Sequence, residues 1–234
     1  MAMNSPNFDN SGDNEPWDGK GELEWTEKDW KQFLKDTDSE VGRFIKIYHS
    51  LRNDPQRLDH TALGMGWDSD DWSADLELEN DDQPEWMDSA SDDDDDFEDM
   101  DNDPYTIHRH PLYVTTRAFY SLLSYYWKLI AMEQPESMTI FDCLQFGESL
   151  RRGENDAVMG INSLEMGDYN LVVCHLQRAL ESLNESLSSF HCVVSSETST
   201  IGKSFVEEFH CCFFDLREIW LRVIKECRGT SDFR

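Results

Sequence analysis

Residues 203–227, KSFVEEFHCCFFDLREIWLRVIKEC, place Phe205, Phe209, Cys212, Phe213, Leu216, Ile219, Trp220 and Val223 three or four positions apart. That spacing collects them on one face of an α-helix and leaves the charged residues on the other. An apolar stripe this long must be covered, so more helices have to lie beside it. The preceding residues supply them. Residues 169–193 repeat the pattern with Val172, Leu176, Ala179, Leu180, Leu183 and Leu187.

Before that comes a helix with Ser137 as its expected cap, carrying Phe141, Leu144, Leu150, Val158, Ile161 and Leu164. Gly147, Gly153 and Gly160 are expected to kink or split it. Residues 111–132 form another, opened by His110-Pro111 and bearing Val114, Phe119, Leu122, Leu123, Tyr126 and Ile130. Nearer the N-terminus, Thr26 and Asp29 have the spacing of a capping box. Trp30, Phe33, Leu34, Val41, Phe44, Ile45, Tyr48 and Leu51 follow, with a weak turn expected around Thr37. Asp54 and Pro55 are expected to start a short helix that ends before Gly64-Met65-Gly66.

No useful run alternates in the manner of a strand. The fold class is therefore all-α: an antiparallel helical bundle of four to five long helices, with an acidic, partly disordered N-terminal half. The chain divides into a tail at 1–21, N-terminal helices at 22–66 packed on the bundle, an acidic linker or arm at 67–103, the bundle at 104–228, and a tail at 229–234.

Charge is distributed very unevenly. The net formal charge is −29 over 234 residues. Residues 1–104 hold 32 acids against 8 bases, and residues 105–234 hold 17 against 12. Residues 68–103 alone contain 19 acids and no base. Such a segment cannot bury its charges and reads as solvated chain. Phosphate recognition needs clustered cations, so nucleic acid is not an expected ligand, and an anionic membrane surface is opposed as well. A basic protein suits this field.

The most apolar stretch, residues 112–132, is interrupted by Arg117 and Lys128, so it reads as a buried bundle helix and not a membrane span. Residues 1–20 show no apolar leader, which gives a cytoplasmic expectation. In that setting the six cysteines, at 143, 174, 192, 211, 212 and 227, read as reduced, buried small hydrophobes.

Residues 157–180 carry Gly160, then Gly167-Asp168-Tyr169, then Leu176 and Ala179-Leu180. They resemble a single tetratricopeptide helical hairpin. The resemblance covers about a tenth of the chain and has no second copy. It implies a helix–turn–helix hairpin and not a peptide-binding array.

Chemistry-bearing residues are sparse. Glu207 and His210 share a helix face, as a metal-dependent bundle enzyme would need, but no second Glu-x-x-His accompanies them. Cys174-His175, His191-Cys192 and His210-Cys211-Cys212 lack the short spacing of zinc pairs. The run at 92–96 lacks the glycine of a calcium loop. His108-Arg109-His110 pairs most simply with nearby carboxylates. No cofactor or catalytic site is expected. Trp72, Trp86 and Phe97 stand among the acids of the arm, where a plain spacer would have no use for aromatics. The leading expectation is a non-catalytic interaction or adaptor protein that offers these three side chains to a basic partner. The rival readings are the metal-dependent enzyme and an acidic nucleic-acid mimic.

Overall fold

The computed structural model describes residues 25–67, 106–133, 138–195 and 201–231. The expected tail at 1–21, Ser137, and most of the acidic arm lie outside them. Six α-helices run in chain order: α1 (Glu27–Ser50), α2 (Arg57–Met65), α3 (Pro111–Glu133), α4 (Ile140–Glu165), α5 (Tyr169–Val194) and α6 (Lys203–Ser231). A 3₁₀ turn, Ile107–Arg109, precedes α3. Among the described residues there is no strand, and the fold is all-α.

Helices α3 to α6 close a ring in which each touches the next and α6 returns to α3. Contacts that advance along one helix recede along its neighbour. Arg117 pairs with Glu154, while Trp127, farther on, stacks on the earlier Phe146 at 3.9 Å. This is the antiparallel bundle expected of long helices with short connections. The tightest pair is α4 with α5. A methyl group on Gly153 would sit 2.5 Å from the Tyr120 hydroxyl and 3.4 Å from the Ala179 carbonyl, so only glycine allows α3, α4 and α5 to close there. Gly167, at φ 71°, makes the turn between α4 and α5, and Asp168 caps α5 by accepting from the Leu171 amide.

The expected stripe of α6 is buried almost throughout. Phe209, Cys212, Phe213, Leu216, Ile219, Trp220 and Val223 are each 2% exposed or less, and Phe205 is half-buried. Phe209 stacks on Phe190 of α5 at 3.7 Å. α6 then continues past Cys227 to Ser231.

Several local expectations are corrected. α1 does not weaken at Thr37, because its buried hydroxyl donates to the Phe33 carbonyl and leaves no orphan polar group. α2 starts at Arg57, since Asp54 accepts from the Gln56 amide and so shapes the turn before the helix. Thr139, with Asp142, forms the capping box of α4. α4 is unbroken through Gly147, Gly153 and Gly160, because its packing against α3 and α5 outweighs the roughly 1 kcal/mol that each glycine costs a helix. Phe141 and Leu144 are 71% and 67% exposed, because the inward face of α4 runs through Phe146, Leu150, Ala157, Ile161 and Leu164. Trp30 and Leu34 are exposed as well. Only Cys212 and Cys227 are buried; Cys174, Cys192 and Cys211 are exposed, Cys143 is intermediate, and all six are free thiols.

α1 packs on the bundle in the seam between α3 and α6. It runs parallel to α3, with Phe33 meeting His108 and Phe44 meeting Phe119. A buried polar cluster fixes its far end. The Arg57 guanidinium donates to the Tyr48 carbonyl at 2.7 Å and to Glu208 of α6 at 2.5 Å, and lies 3.4 Å over the Tyr48 ring. Arg52 forms an ion pair with the other Glu208 oxygen at 2.9 Å. The Tyr48 hydroxyl donates to Asp215 at 2.5 Å. Burial pushes the Tyr48 phenol well above its ordinary value, so it stays a donor; burial also raises the Asp215 carboxyl.

Two stability predictions follow from this packing. Phe213→Ala should lower unfolding stability by about 3–5 kcal/mol in urea titration, the usual cost of deleting a buried ring. An unchanged midpoint would place the stripe elsewhere. Glu208→Ala should cost about 3–5 kcal/mol, because it strands the Arg57 charge, whereas Arg57→Met with Glu208→Leu should recover most of that loss. A double variant no better than the single would mean the pair does more than neutralise itself.

Candidate functional site

A concavity lies where the chain leaves α2 and where it enters α3. It is a groove of about 350 Å³ lined by Phe33, Asp36, Thr37, Glu40, Trp67, His108, Arg109 and Val114. Three separate pieces of chain build it. α1 contributes positions 33, 36, 37 and 40, which share one face at steps of three and four. α2 ends at Gly66, whose φ of 87° suits glycine, and the Trp67 amide closes the cap onto the Ala62 carbonyl at 3.0 Å. The Trp67 ring is thereby laid against Phe44, 6.0 Å between centroids.

The third piece is the 3₁₀ turn. His110 caps α3, its Nδ1 accepting from the Leu112 amide at 3.1 Å. Its other ring nitrogen faces Glu165 of α4 at 3.4 Å, which ties the turn to the bundle. So anchored, the turn sets His108 edge-on to Phe33 at 6.0 Å and Arg109 over the Phe33 ring at 5.4 Å. Burial, followed by the Arg117 charge, lowers the His108 pKa below 6.5, so the ring is neutral at pH 7. Trp25 and Trp30 pack with Phe33 at 5.6 and 5.9 Å and continue the aromatic surface at one end. Trp and Arg are the side chains most often found as energetic anchors of interfaces.

Sequence reasoning missed this groove. Phe33 and His108 are far apart in the chain, and nothing in either local pattern says that they touch. The clue available was a pair of aromatics, Trp25 and Trp67, that the helical stripes did not use.

Of the residues singled out from sequence, Trp72, Trp86 and Phe97 lie outside the described residues. Trp67 and the 107–109 turn, which flank their segment, both line the groove. Glu207 is exposed, and the buried carboxylate is its neighbour Glu208, already held by Arg57 and Arg52. His210 stands beside His191 of α5, 4.9 Å between centroids, an approach that sequence spacing did not reveal. Among the described residues no group of three or more His, Cys, Asp or Glu is placed to hold a metal ion. His175 Nδ1 lies 3.5 Å from an Asp156 carboxylate oxygen.

No protein-family model matches this sequence, and comparison with curated proteins and with solved structures finds no match. None of the described helices is long and apolar enough to cross a membrane.

Burial, and then the charge of His191, lower the His210 pKa from 6.5. The stability gained from keeping this ring neutral is present above 6.5 and lost as pH falls through the lowered value. In an NMR titration His210 should titrate below 6.5, and His191→Ala should move it upward. A His210 midpoint at or above 6.5 would contradict the packing at this helix pair.

Proposed function

We propose that this is a non-catalytic interaction protein of the cytoplasm. In this reading a helical platform presents the acidic, aromatic-bearing arm at 67–103 to a basic protein. One observation supports it above the rest. Residues 68–105 number 38, yet Trp67 and the 107–109 turn flank a single groove. Thirty-eight extended residues, at about 3.3–3.6 Å each, reach roughly 125–137 Å, far more than the width of such a groove. The surplus length carries 19 acids, no base, and Trp72, Trp86 and Phe97. A connector needs none of these features.

The mechanism follows from charge and hydrophobicity acting at different stages. The dense negative field speeds encounter with a basic surface and loses strength as salt screens it. Aromatic side chains then supply most of the lasting affinity. The cysteines, read as reduced thiols, suit a reducing compartment.

The test uses a fluorescein-labelled 20-residue amphipathic peptide of lysine and leucine as the basic probe. Joint replacement of Trp72, Trp86 and Phe97 by Ala leaves net charge untouched. It should weaken binding at least tenfold while the melting temperature stays the same, and association should slow several-fold between 50 and 300 mM salt. If the triple variant melts lower and binds the probe as before, the arm is a structural element and the interaction reading fails.

A further inference from the structure

We propose that the groove of Phe33, Trp67 and Val114 is the docking pocket for an apolar side chain of a lysine- or arginine-rich segment, with Asp36 and Glu40 pairing the flanking cations. This rests on the interaction reading above and adds a second, rigid contact to it. The volume of about 350 Å³ lies at the small end of ligand-sized pockets, about 300–1,000 Å³, and suits one or two side chains.

Charge selects the occupant among three candidates. Asp36 and Glu40 are exposed one helical turn apart along the groove. Asp36 accepts only a neutral amide, from Gln32 at 2.9 Å, and Glu40 has Arg43 at 3.8 Å. On the opposite wall His108 is neutral at pH 7 and the Arg109 guanidinium covers the Phe33 ring. Residues 68–103 of this chain offer no cation to pair Asp36 and Glu40. A second copy brings a formal charge of −29 toward another −29, and long-range repulsion opposes that approach. A basic segment brings cations to the two carboxylates beside the apolar floor, on the side of the groove away from the Arg109 guanidinium.

Position supports the same choice. Trp67 and the 107–109 turn, which bound residues 68–105 in the chain, both line the groove, so a basic chain gathered by the arm would be tethered to the molecule that carries the pocket. The second contact then becomes intramolecular, and tethering of this kind raises overall affinity without needing a strong site.

The experiment is an anisotropy titration of the full chain with the lysine–leucine peptide and with a control in which every leucine is alanine. Asp36→Lys with Glu40→Lys changes two exposed residues and should leave melting unchanged. It should weaken the lysine–leucine peptide at least tenfold and abolish its advantage over the alanine control. Glu181→Lys with Glu185→Lys, an equal charge change on the outer face of α5, should weaken binding less than threefold. Equal losses from the two double variants would overturn the pocket. Replacing residues 68–103 with an eight-residue glycine–serine linker separates this proposal from the one it rests on. Lost binding in the linker variant, with no effect from the Asp36/Glu40 change, would sink the pocket and spare the arm. Unchanged binding in the linker variant, with the Asp36/Glu40 effect retained, would sink the arm and leave the pocket. Tighter binding after linker replacement would assign the groove to the chain's own arm, and a dimer dissociated by the Asp36/Glu40 change would assign it to a second copy. Either result would overturn the proposed occupant.

Discussion

The contact between Arg57 and Glu208 governs where everything N-terminal to the bundle can sit. Arg57 is 5% exposed and Glu208 7%. Two charges withdrawn from water this far are costly unless they meet each other with good geometry. They meet in one arrangement only, with α2 folded back on α1 and the C-terminal end of α1 laid against the first turns of α6. Arg57 also uses its Nε on the Tyr48 carbonyl and its flat face on the Tyr48 ring, so guanidinium, backbone and phenol are fixed together. Tyr48 in turn donates to Asp215 two turns deeper along α6. Apolar packing of α1 alone would tolerate a slip along the seam. This polar cluster does not, because a slip of one turn would leave several buried groups unpaired.

That fixed register reaches the groove through the stiffness of a helix. From Tyr48 back to Phe33 is four turns, about 22 Å at 1.5 Å per residue. Phe44 against Phe119 holds the middle, and Phe33 arrives opposite His108. The 3₁₀ turn is positioned independently, through the His110 cap and its contact with Glu165. The groove is thus the meeting place of two rigid pieces, each anchored in the bundle by its own polar contact. A surface built this way is preorganised by the fold.

The parallel course of α1 and α3 links architecture to charge. Antiparallel neighbours can be joined by a tight turn, as α4 and α5 are at Gly167, whereas parallel neighbours need chain that returns to the starting end. α2 supplies much of that return and leaves Trp67 at the groove. The acidic residues that follow therefore do not owe their number to connecting the helices. The bundle's own half of the chain is nearly balanced, with 17 acids against 12 bases, so its helices can pack apolar stripes normally.

The periodicity of α3, α5 and α6, the capping box at Thr26, the Gly66 and Gly167 stops and the segregation of charge were all written in local sequence. Each depends on residues within a turn or two of one another, or on composition alone. Local pattern was less reliable at the edges of elements and on faces shared by more than one apolar group. Phe141 and Leu144 fit a helical stripe by spacing, yet the bundle buries the face that begins at Phe146. Which of the two acids, Glu207 or Glu208, is buried could not be told from a helix carrying both; the arrival of Arg57 from α2 decides it. The same holds for the approach of His191 to His210 and for the groove itself. Sequence by itself therefore determined that this chain makes amphipathic helices and concentrates its acids in one segment, because period and charge are local properties. Only the tertiary structure decided which faces meet, since that depends on pairing buried charges and rings from distant parts of the chain, and no local pattern encodes that pairing.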